Sequence, residues 1–440
     1  MEAAIPKLRW KIAFLISVAI AISYLDRQTL PVAIKAIEKD IPISNQVMAS
    51  LNSAFLVAYG LMYLGGGRLM DVVGTRLGFA MIMAFWSLAC ASHGLANGVM
   101  MLVISRLLLG IGEGGGFPAA TRAVAEWFPV RERSTAMGIM NAGTAVGGIM
   151  APPLIAAVLM YADWLELAPW RWVFYLTGAM GLLWTLWWCW EYFAPERHPR
   201  LGVAEREEIR SVLEGDEIPK PGIPLVQLLR FRETWGLVTA KFLSDAAWYF
   251  YLFWLPRYLY DARGFDIKAV GSVAWIPHAA AGIGCLCGGG LSTWLLARQY
   301  PLNRARKLAL GASSTMMPLL AFVPHVSVSW AIVLFCIGYF GQQSWSTLVM
   351  ILPTDLFPKR AVGTVAGLVG LGGAMGGIAF GQLAGYLLDQ GAGYAPIFAL
   401  VSTFHVLAFG LILLTVRSVR PLELQSAAHP TWVTTTSAKT

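Results

Sequence analysis

Long apolar runs recur along the whole chain, separated by short polar connections. Windows of about 19 residues, enough for a helix to cross a bilayer, mark twelve of them. They centre near residues 22, 57, 86, 111, 145, 182, 247, 282, 315, 340, 372 and 405. No run shows the strict alternation of a barrel strand. The pattern predicts an all-α polytopic membrane protein. The first run, from about Ile12, has no small-residue cleavage site and continues into Asp26 and Arg27, so it is expected as a retained helix rather than a signal peptide. The longest polar segment, from about Glu191 to Glu233, divides six runs from six and has room for a short amphipathic helix near 203–214. Short connections elsewhere fit antiparallel neighbours. The expected organisation is a six-helix bundle over 1–193, a linker over 194–233, a second bundle over 234–418 and a polar, disordered tail over 419–440.

The two halves repeat each other. Glu126-Trp127-Phe128-Pro129-Val130-Arg131 recurs as Asp355-Leu356-Phe357-Pro358-Lys359-Arg360, and Thr135, Gly138, Gly143, Gly147 and Gly148 recur at the same offset as Thr364, Gly367, Gly372, Gly376 and Gly377. Tyr24-Leu25-Asp26-Arg27 faces Trp254-Leu255-Pro256-Arg257. An internal six-plus-six repeat is the pattern of a transporter whose halves rock about a central site. The repeat breaks at the acids: Asp26 corresponds to Pro256 and Glu113 to Gln342. Proton chemistry is therefore expected in the N-terminal half, with the C-terminal half shaping the substrate.

Composition agrees with the hydrophobic pattern. The chain is 57% hydrophobic and 13% charged, about half the charge of a soluble domain. Its net charge of +8 is a matter of topology. About 24 of the 33 Lys and Arg fall on the N-terminus, the even-numbered connections and the C-terminus, and about five on the odd-numbered ones. The positive-inside rule then places both termini in the cytoplasm and leaves no nucleic-acid footprint. The absence of an N-x-[ST] sequon fits a bacterial inner membrane. The five cysteines lie in apolar runs without a CxxC pair, so neither a disulfide framework nor a metal site is expected. No GxxxxGK[ST] or HExxH occurs. Gly110-Ile111-Gly112-Glu113-Gly114-Gly115 fits GxGxxG, but no strand precedes it, and close helix approach is the better reading. No cofactor is called for, and no nucleophile–base set marks an enzyme.

Four ionisable residues stand inside these runs: Asp26, Arg27, Arg106 and Glu113. Charges at membrane depth are costly and tend to face a water-filled path or a ligand site. Arg106 and Glu113, seven residues apart, return within about 20° of one helix face and are expected to point into one cavity. Adjacent Asp26 and Arg27 are expected to share the cavity centre and its wall. Arginine grips a carboxylate with a planar fork, so Arg27 and Arg106 are candidate anion-binding residues. An anion on such an arginine loosens its hold on a neighbouring carboxylate and favours protonation of that acid, which would link substrate and proton binding. The alternative is that the four residues form ion pairs that only pin helices. Lys241 and Asp245 are spaced to pair with each other or to serve a gate. His278 and His405 are expected as packed core histidines.

Gly67-Arg68-Leu69-Met70-Asp71-Val72-Val73-Gly74-Thr75-Arg76 follows the second run. Gly74 permits a tight turn, while Asp71 and Arg76 can latch neighbouring helix ends. The stretch matches the G-x-x-x-D-x-x-G-x-R motif of the major facilitator superfamily. Over roughly residues 8–418 the chain resembles that superfamily's anion:cation symporters, and within them the bacterial hexuronate and sugar-acid transporters. The resemblance rests on YLDRQTL at 24–30, RLLLGIGEGGGFPAATRAVAEWFPVRER at 106–133, KFLSDAAWYFYLFWLPRYLY at 241–260 and WSTLVMILPTDLFPKRAVGTVAG at 345–367. It implies a monomeric twelve-helix fold of two pseudo-symmetric bundles that imports a small organic anion, a sugar acid, by proton symport. Asp26 and Glu113 would be the proton-coupled pair. Arg27 and Arg106 would bind the carboxylate, with Tyr59 contributing to the pocket; Tyr24, Asn141, Gln342 and Trp345 are further candidate substrate-binding residues. Gly67, Asp71, Gly74 and Arg76 would form the conformational latch. An anion exchanger or facilitator without proton coupling is the alternative on the same fold.

Overall fold

The computed structural model describes residues 8–162, 165–213 and 223–422. Every predicted apolar run becomes helical. The first half contains α1 (Leu8–Ile37), α2 (Asn45–Val73), α3 (Thr75–Ser92), the consecutive α4 (Val99–Gly114) and α5 (Gly116–Trp127), α6 (Val130–Tyr161) and α7 (Pro169–Glu191). The polar segment supplies α8 (Val203–Leu213) and α9 (Leu225–Leu228). The second half contains α10 (Arg232–Arg263), α11 (Ile267–Val273) with α12 (Ile276–Ala297), α13 (Leu302–Ser314) continued by a 3-10 stretch Met317–His325, α14 (Val328–Leu356), α15 (Lys359–Asp389) and α16 (Ala395–Thr415). Among the described residues, eight helical spans are long and apolar enough to cross a membrane. The α2, α7, α10 and α14 helices lie outside that set. Of these, α7 and α10 are rich in Trp and Tyr, which are amphipathic rather than purely apolar.

Small residues set the packing. A Cβ at Gly143 or Gly147 of α6 would meet the carbonyl oxygens of Ser17 and Ala21 of α1. In the second half, Gly372 and Gly376 of α15 stand in the same way against Val238 and Phe242 of α10. The repeated glycines thus make the same helix pair twice, by letting main chains approach. Gly110 and Gly114 of α4 press on the α2 backbone at Phe55 and Tyr59, so the GxGxxG stretch is a packing seam.

The halves meet through two further helix pairs. Gly60 of α2 lies against Leu371 and Ala374 of α15, and nearer the end remote from the N-terminus Gly385 lies against Asn45 and Ala49. On the other flank Gly282 faces Ala145, Gly148 faces His278, and Gly271 faces Ala156 and Pro152. Gln28 and His278 join across the halves at 3.1 Å. At the remote end the contacts become polar. Lys35 reaches Glu38 at 2.9 Å and Asp261 at 2.6 Å, and Arg257 reaches Glu38 at 2.9 Å and Asp261 at 3.3 Å. Tyr260 donates to the Val32 carbonyl, and Asp389 accepts from the backbone N–H groups of Asn45 and Gln46. All these cross-half contacts lie at or beyond mid-depth, on the side away from the N-terminus.

The end that carries the N-terminus is held within each half. Gly74 turns α2 into α3 with φ +77°, and Arg76 stacks 3.8 Å over Phe193 and bonds the Cys189 carbonyl. Gly67 and Asp71, the rest of the expected latch, are described only as backbone of α2. Glu126 gathers Thr75 at 2.6 Å, Tyr192 at 2.7 Å and Arg122 at 3.1 Å. Its repeat partner Asp355 accepts from Arg306 at 2.8 Å, and Arg306 also bonds Ser292. The α8 helix docks on the start of α1: Glu205 accepts from the Leu8 N–H, and Glu208 pairs with Arg9 at 3.0 Å. The expected tail runs from Val419 and Leu422, which bond Asn303 and Leu356, into 423–440, which lie outside the described residues.

Candidate functional site

A cavity of about 480 Å3 lies between the halves. Its N-terminal wall is formed by Tyr24 of α1, Tyr59 of α2, Thr121 of α5 and Asn141 and Thr144 of α6; its C-terminal wall includes Lys241, Asp245 and Tyr249 of α10 and Gln343, Ser346 and Thr347 of α14. A larger concavity of about 1030 Å3 opens beside Arg76, Glu126 and Tyr192. Those groups already hold helix ends of one half together, so the smaller cavity is the better candidate.

Behind the N-terminal wall lies an ion pair. Arg27 Nε donates to Glu113 Oε2 at 2.6 Å, and Ser23 Oγ donates to the same oxygen at 2.7 Å. The guanidinium sits 4.7 Å from the Tyr24 ring centre and 4.6 Å from that of Tyr59. Arg27 Nη2 and Glu113 Oε1 are buried without a hydrogen-bond partner. Asp26 turns to the opposite side of α1, where its Oδ1 accepts from Cys90 Sγ at 3.4 Å while Oδ2 is buried and unpaired. Arg106 is fully buried, all three of its guanidinium nitrogens lack a partner, and it lies 6.0 Å from the Phe55 ring centre.

This placement corrects the orientation expected from spacing. Arg106 and Glu113 do share one side of α4, but that side is closed over by Arg27 and by Phe55 of α2. Neither arginine is on the cavity wall: Arg27 stands behind the two tyrosine rings, and Arg106 lies deeper in the first half. On α14 the register is one residue from the expected one. Gln343, Ser346 and Thr347 line the cavity, whereas Gln342 turns back to bond His405 and to approach Asp245 at 3.5 Å. Trp345 is fully buried in the core of the second half, 5.6 Å from His405. One residue is 100° of helix rotation, and the pressure of Gly284 and Gly288 on Phe340 and Ser344 fixes which side faces inward. Tyr24, Tyr59 and Asn141 do line the cavity.

Charge in the second half departs from expectation too. Lys241 donates to Asp245 at 2.9 Å and to Ser346 Oγ at 2.8 Å, and both ionic side chains are under 10% exposed. An acid of the C-terminal half therefore stands at the cavity, contrary to the expectation that acids belong to the first half alone. Its sequence signal was the Lys–Asp pair itself, inside a span rich in aromatic residues. His278 and His405 are both hydrogen-bonded within packed surroundings.

The chain matches the model of the Major Facilitator Superfamily over residues 16–381. It is 31% identical to the hexuronate transporter of Escherichia coli (strain K12) over 433 residues, 96% of this chain and 97% of that protein. It is 32% identical to the galacturonate transporter of Dickeya chrysanthemi over 314 residues, 70% of this chain and 89% of that one. Identity to the D-galactonate transporter of Escherichia coli O6:H1 is 30%, covering 92% and 95%. Among solved structures, the fold is similar to a bacterial homologue of the human lysosomal transporter Spinster, with TM-score 0.73 at 19% identity over 95% of this chain and 98% of that one. With its apolar helices in two repeated sets and a cavity between them, the chain belongs to the major facilitator superfamily, as a membrane transporter and not an enzyme.

Proposed function

We propose that this protein imports a sugar acid across a bacterial inner membrane by proton symport with alternating access. The observation that carries the reading is the cavity between the halves, closed on one side, with the Arg27–Glu113 pair directly behind its tyrosine wall. The names of the full-length relatives, hexuronate and D-galactonate transporters, support the substrate class. With both termini in the cytoplasm, the remote end sealed by Lys35, Glu38, Arg257 and Asp261 is periplasmic, and the conformation is inward-facing. Residues 1–193 and 234–418 are the two bodies that rock.

Coupling follows from the shared field of Arg27. Glu113 accepts from the guanidinium and from Ser23 through one carboxylate oxygen. An anion in the cavity competes for Arg27 across the Tyr24–Tyr59 wall, so that Glu113 can take up a proton while the anion balances the guanidinium's charge. Substrate and proton thereby favour each other's binding, and the linkage is reciprocal. Asp26, with its unpaired Oδ2, is the second proton site. One proton per monoanion draws on the pH gradient at about 1.4 kcal/mol per unit, and a second proton adds about 2.3 kcal/mol per 100 mV of membrane potential.

The test is uptake of labelled glucuronate, galacturonate and galactonate into proteoliposomes, with and without an inward proton gradient, for wild type and Glu113→Gln. Gradient-dependent accumulation that the variant loses while retaining exchange is the expected result. Uptake indifferent to the gradient in both proteins would leave an exchanger or facilitator.

A further inference from the structure

We propose that Lys241 is the residue that grips the substrate's carboxylate in this conformation, exchanging it for the carboxylate of Asp245. The inference rests on the transport reading above and names the contact that reading leaves open. Among the described residues lining the cavity, Lys241 is the sole cation and Asp245 the sole anion. The arginines of the first half stand behind it. An anion in the cavity therefore meets this ammonium before it meets Arg27 or Arg106.

The local chemistry suits an exchangeable site. Two of the three ammonium protons are used, on Asp245 and Ser346, and an ammonium has three to give. The pair is a poor structural staple. Lys precedes Asp by one turn, the weaker order for a helix-surface pair, and a buried ion pair adds little net stability over apolar packing. Asp245 is confined on its far side, since a Cβ at Gly373 would fall on Oδ2. Gln342 Nε2 stands 3.5 Å from Oδ1, so a donor is at hand when Lys241 turns to a ligand. Ser346, Thr347 and Gln343 on the same wall offer hydroxyl and amide groups to a polyhydroxylated body. Across the cavity Tyr24 and Tyr59 offer ring faces and hydroxyls. Gripping and sensing are then divided between the halves: Lys241 holds the charge, while Arg27 and Glu113 register its arrival.

The experiment measures equilibrium binding to the purified full-length protein in detergent. Ligands are glucuronate, galacturonate and galactonate, the uncharged amide of each, and a panel of simple carboxylates (acetate, succinate, benzoate). Proteins are wild type, Lys241→Arg, Lys241→Gln and the double variant Lys241→Gln/Asp245→Asn, which leaves no uncompensated buried charge and keeps the pair's shape. A charge-assisted hydrogen bond predicts that wild type prefers acid over amide by about ten- to a hundredfold. The double variant should lose that preference while still binding the amide, and Lys241→Arg should keep part of it. A double variant that retains the full acid preference overturns the inference and leaves the transport reading standing. If wild type binds none of the sugar acids but binds another carboxylate through Lys241, the substrate class falls and the inference stands. Binding of no carboxylate at all overturns both.

Discussion

Arg27 Nε lies 2.6 Å from Glu113 Oε2 while its guanidinium is flanked by Tyr24 and Tyr59. The cation is thus shared between an acid inside the first half and two rings on the cavity wall. Removing one partner of a buried pair leaves an uncompensated charge, at a cost of about 3–5 kcal/mol. Arg27→Ala should therefore lower the unfolding temperature in detergent sharply, and Arg27→Gln/Glu113→Gln much less. A double variant as unstable as the single one would show that the charge pairing is not what the site depends on.

The remote-end cluster predicts a shift in conformation rather than in fold. Lys35 and Asp261 are about one-third exposed, and Arg257 and Glu38 less so, so each pair is worth roughly 0.2–1 kcal/mol. Glu38→Gln with Asp261→Asn should move the balance toward the conformation open at that end by on the order of tenfold. Spin labels at Lys39→Cys and Ala262→Cys would report a growing long-distance population, with the unfolding temperature little changed. An unaltered distance distribution would mean that the cluster does not hold the halves together.

Two glycines of α15 should respond to alanine with opposite sign. At Gly376 a Cβ would strike the Phe242 carbonyl, whereas at Gly381 it meets nothing within 4 Å. Gly376→Ala should force α10 and α15 apart and destabilise the second half. Gly381→Ala should stabilise by up to about 0.5–1 kcal/mol, because alanine loses less backbone freedom in a helix. Paired thermal unfolding curves check both signs.

The linker carries a pH-dependent contact. Burial holds the imidazole of His198 below its ordinary value, beside the Glu191 carbonyl and Arg200, although that carbonyl partly offsets the shift. The folded linker therefore binds fewer protons than the unfolded one as pH falls below about 6.5, and its stability drops there. Limited proteolysis within 203–213 should quicken between pH 7.5 and 5.5 in wild type, and His198→Phe should flatten that dependence.

What could be read without coordinates was set by local physics. Each apolar run became a helix because a bilayer-length stretch has no other way to satisfy its backbone. The glycines at 143, 147, 372 and 376 could be read as repeated close contacts, and Arg106 and Glu113 as one side of a helix. Which side would meet the cavity was not legible. Helix rotation is decided by neighbours, so Gln342 and Gln343 are indistinguishable by type and 100° apart in place. Lys241 and Asp245 were visible as a pair, but not as residues of the wall. The ion cluster at the remote end escaped because its members come from α1 and α10, more than 200 residues apart.

The interface between the halves changes character along its depth. At the middle it is glycine against side chains, with Leu371 and Ala374 at Gly60, His278 at Gly148 and Ala145 at Gly282; at the sealed end it is carboxylates, cations, a tyrosine hydroxyl and a capped helix. When that end parts, the groups it exposes are ones water can solvate at once, while the dry middle can stay in contact as a fulcrum. A seal tied across the halves by ion pairs can be firm and still trade those partners for water as it opens.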